Sequence, residues 1–162
     1  MAVDIFLKIE GPPIKGEALD DKHKDEIDVL AWSWGLSNSG NAKVGGGAGA
    51  GKVNVQDLSV TKYLDKSTTD LFLSTCDGTH HETVTLTVRK AGTKPIEYVK
   101  ITMTEVLITS LSTGGSGGQD RLTENVSLNF AKVKVEYTPQ KPDGSADATQ
   151  TIVWDIAKNV KG

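Results

Sequence analysis

The sequence predicts a mainly β fold, a β-barrel of roughly eight strands with one α-helix on its outside or across one end. Apolar and polar residues alternate with a period of two through most of its apolar segments, which is typical of half-buried strands. The apolar parity switches within three of these segments, as it does where bulges or bends turn the corners of a closed sheet. One further segment has the caps and spacing of a helix. With 162 residues and no internal repeat or linker, we expect one domain over residues 1–162.

The strands are predicted in chain order from this alternation. In the first, the apolar residues from Val3 to Ile9 share one parity, and Gly11-Pro12-Pro13 ends the strand. The clearest example is residues 83–89, where valine and leucine alternate with threonine. The other predicted strands cover residues 26–36, 53–60 with a parity switch, 96–112 with a switch near Glu105, 123–137 with a switch after Phe130, and 152–156.

The helix is predicted between Ser67 and Gly78. Ser67 is a suitable N-cap with Asp70 three residues later, a shortened form of the capping box. Gly78 suits the left-handed position that follows a helix. The face expected to pack on the rest of the fold consists of Leu71, Phe72, Thr75 and Cys76.

The segment Glu26–Gly35 carries Trp32 and Trp34 two residues apart, on the same strand face as Leu30. Its opposite face is also apolar, and a small monomeric barrel can cover only one face of a strand. A stacking platform for a sugar or a base is an alternative, but such platforms combine aromatic rings with basic or polar side chains. We therefore assign Leu30, Trp32 and Trp34 to the core or to a subunit interface, and expect the protein to be part of a larger assembly.

Composition narrows the function classes. The net charge is −3, from 18 basic and 21 acidic residues without a basic cluster, so a nucleic acid or an acidic membrane surface is not expected as partner. Cys76, the single cysteine, cannot form an internal disulfide. The first residues lack the pattern of a secretory signal, and no apolar run approaches ~20 residues. We expect synthesis and folding in the cytoplasm, and any export by a route without a cleavable signal.

Two glycine-rich loops interrupt the strands, one at Gly45–Gly51 and one at Gly114–Gly118. In the first, Gly46, Gly51 and Lys52 resemble part of a phosphate-binding loop. We reject this interpretation because Val53 stands where a serine or threonine would hold magnesium, and because a strand pattern follows in place of a helix.

The candidates for metal binding are weak. His80 and His81 lie near acidic residues, but adjacent residues in a strand point to opposite faces, so only one of them would face a metal. His23 lies in a charged stretch that we interpret as solvated surface.

Catalytic residues are not predicted. Cys76 is interpreted as a small buried residue of the helix, and Ser116 lies in a run of glycines without the helix that a nucleophile elbow requires. Asp120, Arg121 and Glu124 are expected to form ion pairs that fix the end of the second glycine loop. We therefore expect no enzymatic activity, no cofactor and no metal; a hydrolase built on the barrel is a further alternative that lacks a nucleophile with its base.

Four segments carry a family resemblance that runs from Met1 to beyond Tyr137: residues 27–35, 51–58, 61–68 and 112–130. Together they resemble the haemolysin-coregulated protein (Hcp) family, the tube protein of bacterial type VI secretion systems. Residues 142–150 depart from the family most freely.

The resemblance implies a β-barrel with one helix that forms a homo-hexameric ring. Rings would stack on one another into a tube, inside a contractile sheath and behind spike-tip proteins. The tube would leave the bacterial cytoplasm for the medium or a target cell, carry and protect small secreted effectors in its lumen, and have no catalytic activity. It also implies that a domain ending near Lys161 leaves no room for a fused toxin. A tail-tube-like subunit of another contractile injection machine is the alternative.

Within this interpretation, the two glycine loops receive separate roles. The first is the candidate ring-stacking loop, with Gly45, Gly46, Gly47, Gly49, Gly51 and Lys52. The second is the candidate for contact with effectors in the lumen, because absent side chains let another backbone approach closely, with Gly115, Ser116 and Gly117.

Overall fold

The computed structural model describes residues 3–40 and 51–162 and confirms the mainly β class with one helix. Eleven strands and one helix occur in this part of the chain. In order they are β1 Val3–Glu10, β2 Ile27–Asp28, β3 Ala31–Ser33, β4 Leu36–Asn38, β5 Val53–Val55, β6 Leu58–Tyr63, α1 Thr68–Asp77, β7 His80–Lys90, β8 Glu97–Gly114, β9 Thr123–Tyr137, β10 Gln150–Asp155 and β11 Val160–Lys161.

Hydrogen bonding does not close the main sheet into the predicted barrel. The strand order is β11-β10-β9-β8-β7-β1-β2, while β9 also pairs with β6, and β6 pairs with β3. The two edges are joined by one stretch of chain, residues 27–33, whose start pairs with β1 and whose end pairs with β6. Between them, the Val29 amide donates to the Ile5 carbonyl and the Leu30 amide donates to the Thr61 carbonyl. β2 pairs only with β1, and β3 pairs only with β6. Neither of these short strands is therefore paired on both of its sides, and the main sheet stays open between them.

The core follows the predicted alternation. In β7, Val84, Leu86 and Val88 are buried, as expected of a strand with one polar face. The parity switch predicted near Glu105 corresponds to a bend in β8, where Glu105 adopts a φ of 55°. The partners of β7 step there from Thr104 to Val106, so Val106 and Ile108 face inward. The switch within residues 53–60 separates β5 from β6.

The helix is confirmed, but its buried face is not the predicted one. Gly78 adopts a φ of 69° and its amide donates to the Ser74 carbonyl. Leu71 and Ser74 are the buried residues of α1, whereas Phe72 and Cys76 are exposed. The reason is that α1 packs through a narrow stripe at positions three residues apart, and Phe72 is rotated about 100° from Leu71. Among the described residues, no helix has the length and apolarity needed to cross a membrane.

Candidate subunit and cargo surfaces

An open apolar groove lies between the two-stranded sheet of β4 and β5 and the strands β9 and β10 of the main sheet. It has a volume of about 340 Å³. The indole N–H of Trp34 donates to the Gln56 carbonyl at 2.9 Å, which leaves the ring itself as an apolar wall, and the ring also lies 6.0 Å from that of Phe130. We call this feature the apolar groove; its lining residues are Trp34, Leu36, Val53, Val55, Val133, Val135, Ile152 and Trp154.

The two tryptophans of the predicted strand lie at the boundary between core and surface. Trp32 and Trp34 are half-buried and pack against the core, while Leu30 is 46% exposed. Trp34 is thus part of the apolar groove, and Trp32 pairs with Val60 in the main sheet. Their assignment to a core or to a subunit interface stays a prediction, although Leu30 is not part of the core of the subunit.

A second surface is formed by small uncharged side chains on the outer face of four paired strands. Ser33 pairs with Ser59, Ser59 with Ser127, and Ser127 with Ser110. The Thr61 hydroxyl donates to the Asn125 side-chain oxygen at 2.7 Å in the neighbouring row. We call this surface the small-polar face; its residues are Ala31, Ser33, Ser59, Thr61, Ser110, Ser112, Asn125 and Ser127.

The second glycine loop extends from one end of the small-polar face, because β8 ends at Gly114. Ser116 is exposed and begins a hydrogen-bonded turn, in which its amide donates to Gln119 Oε1 at 3.1 Å and its carbonyl accepts from the Gln119 amide at 3.0 Å. A Cβ at Gly115 would overlap the Leu122 side chain. Gly117 lies in the same exposed turn. The loop therefore has a defined shape next to an exposed serine.

Only the end of the first glycine loop is described. Gly45, Gly46, Gly47 and Gly49 lie outside the described residues. The Gly51 carbonyl accepts a hydrogen bond from Asn38 Nδ2 at 2.6 Å, and a Cβ on Gly51 would lie 2.5 Å from Ser39 Oγ. Lys52 is exposed and directly precedes β5. The predicted strand after Lys52 is confirmed, where a phosphate-binding loop would be followed by a helix.

Beneath the second loop, charged side chains are fully buried. Lys62 Nζ contacts Glu124 Oε1 and lies 3.1 Å from Asp65 Oδ1. The Thr68 hydroxyl at the start of α1 donates to Glu124 Oε1 at 2.9 Å. The cluster therefore joins β6, the first turn of α1 and the start of β9, directly after the glycine loop. We call it the Lys62 cluster: Lys62, Asp65, Thr68 and Glu124.

The ion pairing predicted for Asp120, Arg121 and Glu124 is wrong. Glu124 faces the core and pairs with Lys62, and the Arg121 guanidinium lies 3.9 Å from the centre of the Tyr63 ring. Sequence analysis missed the buried pair although a signal was present: Lys62 shares its parity with Leu58 and Val60.

Residues 15–26 pack against Phe6 on the outer face of β1. The Arg89 guanidinium reaches both oxygens of Asp20 at 2.6 and 3.0 Å and Asp4 Oδ2 at 3.0 Å, and it lies 5.1 Å from the centre of the Phe6 ring. The pKa of Asp20 is lowered to about 2, chiefly because the Arg89 side chain donates hydrogen bonds to it. The same hydrogen bonds raise the pKa of Arg89.

His23 belongs to this region, and its assignment to solvated surface is wrong. It is only 8% exposed because its ring stacks on Phe6 at 4.4 Å. Its two nitrogens contact Glu26 and Glu97. We call the whole arrangement the Phe6 cluster: Asp4, Phe6, Asp20, His23, Glu26, Arg89 and Glu97.

The two histidines at the start of β7 lie on opposite faces of the strand. His80 is exposed and His81 is buried, as strand alternation predicts. His81 Nδ1 donates to the Pro12 carbonyl at 2.7 Å, so Nε2 accepts from the Ser74 hydroxyl at 3.1 Å. Ser74 is a buried residue of α1, so its hydroxyl oxygen does not face solvent. Cys76 is exposed, contrary to prediction, and residues 3–40 and 51–162 contain no grouping of three or more metal-ligating side chains.

Comparison with known proteins places this arrangement in a family. The family model described as "Type VI secretion system effector, Hcp" matches residues 6–137. Protein hcp1 of Pseudomonas aeruginosa is 58% identical over 99% of both chains. Among solved structures, Hcp1 from Salmonella typhimurium is 38% identical with a TM-score of 0.82 over 100% of both chains. A structure of a type six secretion system protein is 29% identical with a TM-score of 0.92, covering 99% of this chain and 100% of the other. The chain therefore belongs to the Hcp family, the tube proteins of type VI secretion systems.

Proposed function

We propose that the chain forms homo-hexameric rings that stack into the inner tube of a type VI secretion system. The rings are enclosed by the contractile sheath, tipped by spike proteins, and loaded with small effectors in the lumen. They act without catalysis, assemble in the bacterial cytoplasm and leave the cell without a cleavable signal peptide. The observation that carries the proposal is the apolar groove on the surface of an Hcp-family subunit, because such a surface favours a second copy of the chain.

The apolar groove supports ring closure through its composition. Its eight lining side chains are all apolar or aromatic, and burial of apolar surface is the dominant favourable contribution in most protein–protein association. A ring of identical subunits uses heterologous contacts, in which the groove of one subunit receives a different surface of the next. The exposed Leu30, Phe72 and Leu73 supply apolar surface elsewhere on the subunit.

The ring is tested with two variants on one strand. Ile152 lines the apolar groove, and its neighbour Thr151 is exposed on the opposite face of β10. We expect Ile152→Asp to shift the purified protein from a hexamer to a monomer, as seen by mass photometry and by the loss of rings in electron micrographs. Thr151→Asp should keep the rings. A wild-type protein that is monomeric at every concentration, or an Ile152→Asp variant with intact rings, contradicts the proposal.

We place the lumen wall at the small-polar face. Its eight residues carry no charge, and hydroxyl and amide groups both donate and accept hydrogen bonds. A wall of this kind binds proteins of different charge weakly, whereas fixed charges would select among them. The second glycine loop continues from this face and presents Ser116 beside backbone that another chain can approach closely.

Effector contact is tested by enlarging Ser116. Ser116→Trp should lower the amount of effector that co-purifies with the rings and leave the rings intact, because Ser116 is exposed in its turn. Thr93→Trp is the matched control, since Thr93 is exposed in the bend after β7 at a different part of the surface. Unchanged effector recovery with Ser116→Trp would remove this role.

In the candidate ring-stacking loop, the structure describes the side chain of Lys52. Lys52→Glu should reduce the length of stacked tubes in electron micrographs without changing the mass of the single ring. Stacks of wild-type length would assign stacking to another surface.

A secretion experiment distinguishes a type VI system from another contractile injection machine. The protein should be found in culture supernatants of cells with the type VI apparatus and be absent from those of an otherwise identical strain lacking its sheath. The family match and the 58% identity to a hcp1 protein favour this outcome over the tail-tube alternative.

A further inference from the structure

We propose that Arg121 and the ring of Tyr63 form a carboxylate-binding site for acidic segments of effectors at one end of the small-polar face. The guanidinium carbon of Arg121 lies 3.9 Å from the centre of the Tyr63 ring. Tyr63 pairs with Thr123 between β6 and β9. This pair lies two residues beyond Thr61, so strand alternation places it on the same face. The site rests on the proposed function, because effectors reach this face only in the lumen of the tube.

The two arginines of the chain differ in their partners. Arg89 reaches both oxygens of Asp20 and one oxygen of Asp4, so its charge is already paired. Arg121 is exposed, and within the described residues its guanidinium forms no ion pair and no hydrogen bond. Its contact with Tyr63 uses the negative face of the ring. The N–H donors of Arg121 therefore remain available to a further partner.

An open pocket of about 440 Å³ adjoins the Arg121 side chain. It is lined by Tyr63, Gln119, Asp120, Arg121 and Thr123. Gln119 Oε1 also accepts a hydrogen bond from the Ser116 amide at 3.1 Å, which joins the pocket to the turn that presents the candidate cargo serine. Because all of these residues belong to one chain, the pocket does not need a neighbouring subunit.

The chemistry of the guanidinium selects a carboxylate. Its planar fork can donate two parallel hydrogen bonds to the two carboxylate oxygens, and charge-assisted hydrogen bonds are roughly twice as strong as neutral ones. The eight residues of the small-polar face carry no charge. Arg121 thus adds a fixed positive charge at the end of a wall that is otherwise neutral. An acidic segment of a cargo protein gains affinity there, and a basic segment loses it.

Two carboxylates of the same chain limit this attraction. Asp120 lines the pocket without pairing with Arg121. Asp28 lies close enough to feel the charge of Arg121: desolvation chiefly raises the pKa of Asp28, and the guanidinium acts in the opposite direction. Both acids repel an anionic partner, so removing the charge of Asp120 should strengthen the binding of acidic cargo.

A fluorescently labelled hexaglutamate peptide is the probe for this site. Fluorescence anisotropy at low salt should show that the purified wild-type protein binds hexaglutamate more tightly than hexaglutamine. Arg121→Gln should weaken hexaglutamate binding by about tenfold, because charge-assisted hydrogen bonds are lost. Lys94→Gln is the matched control, since Lys94 is exposed in the bend after β7 and its loss changes the net charge equally. It should alter the affinity by less than about twofold.

Two further variants separate geometry from charge. Arg121→Lys should restore only part of the affinity, because it keeps the charge but loses the planar fork. Asp120→Asn should strengthen binding by about twofold. Equal affinities for the wild-type protein and Arg121→Gln, or equal weakening by Lys94→Gln, overturn the proposal. Loss of rings in Arg121→Gln would assign this residue to a subunit contact and overturn it as well.

A measurement on the wild-type protein uses Arg89 as an internal control. Selective ¹⁵N labelling of arginine gives side-chain Nε–H signals from Arg89 and Arg121 alone, and Arg121→Gln assigns them. Hexaglutamate should shift the Arg121 signal in mildly acidic solution. The Arg89 signal should stay in place, because Asp20 and Asp4 already hold that side chain. A shift of both signals, or of neither, contradicts the proposal.

Failure of this site and failure of the proposed function give different results. If the protein is monomeric at every concentration, the ring proposal fails, and Arg121-dependent binding of hexaglutamate still supports the site because its lining belongs to one chain. If rings form and effector recovery depends on Ser116, but hexaglutamate binds equally to Arg121→Gln, then only the carboxylate site is wrong.

Discussion

The Lys62 cluster and the Phe6 cluster both bury charged side chains, but they differ in how far solvent reaches them. In the Lys62 cluster, Lys62 and Glu124 are both 0% exposed. In the Phe6 cluster, Arg89 is buried while its partners Asp20 and Asp4 are 26% and 44% exposed. The first cluster is therefore part of the core, next to the end of the second glycine loop. The second lies at the surface, where residues 15–26 meet the main sheet.

The largest effect is expected from breaking the Lys62 cluster. Glu124→Ala would leave Lys62 charged, buried and without its main partner, and should lower the free energy of unfolding by about 3–5 kcal/mol. Denaturant unfolding at one fixed protein concentration measures this, since assembly also contributes to stability. The double change Lys62→Met with Glu124→Leu should recover most of the loss, because it removes both charges at similar volume. A cost below about 1 kcal/mol for the single change would show that water reaches Lys62.

A smaller effect is expected in the Phe6 cluster. Arg89→Met keeps an unbranched side chain over Phe6 but removes the hydrogen bonds to Asp20 and Asp4. Because both carboxylates can turn to solvent, the free energy of unfolding should fall by only about 1–2 kcal/mol. The same denaturant experiment compares it with Glu124→Ala. An equal cost for the two changes would remove the distinction between the clusters.

The Phe6 cluster should also contribute a dependence on acid. The pKa of Asp20 is held at about 2, below its ordinary value of 3.8. Its contribution to stability is therefore present above about pH 4 and is lost as the pH falls toward about 2. Asp20→Asn should remove this part of the acid dependence. Identical acid unfolding profiles for Asp20→Asn and the wild-type protein would contradict the assignment.

The smallest effect is expected from an ion pair in solvent. Lys8 and Glu10 lie 3.2 Å apart with side chains 53% and 49% exposed. Lys8→Ala should change the free energy of unfolding by less than about 0.5 kcal/mol. A larger change would mean that burial does not set the order of these effects.

Much of the fold could be predicted because alternation records burial directly. The bend at Glu105 and the division between β5 and β6 both followed from a switch of apolar parity. Closure of the sheet was predicted wrongly, since parity shows which side of a strand faces inward but not which strands become neighbours. The short pairings of residues 27–33 depend on contacts that no local pattern specifies.

The buried charged residues also show what strand parity can predict and what it cannot. Lys62 and Glu124 each occupy a core-facing parity, and they are direct partners between β6 and β9, so the pattern contained the information. His23 had no such signal, because its burial depends on Phe6 and on Glu97, both distant in the sequence. Phe72 and Cys76 were misplaced because four apolar or small residues on a short helix do not define which stripe faces the sheet.

Residues 27–34 connect two surfaces of the subunit mechanically. This ribbon is hydrogen-bonded to β1 at one end and to β6 at the other, and its consecutive side chains belong to different surfaces. Trp34 lines the apolar groove, while Ser33 lies on the small-polar face. A displacement of Trp34 in the apolar groove therefore moves Ser33 on the small-polar face through a single peptide bond. A force on the groove is thus transmitted to the face that we propose as the lumen wall without passing through the core.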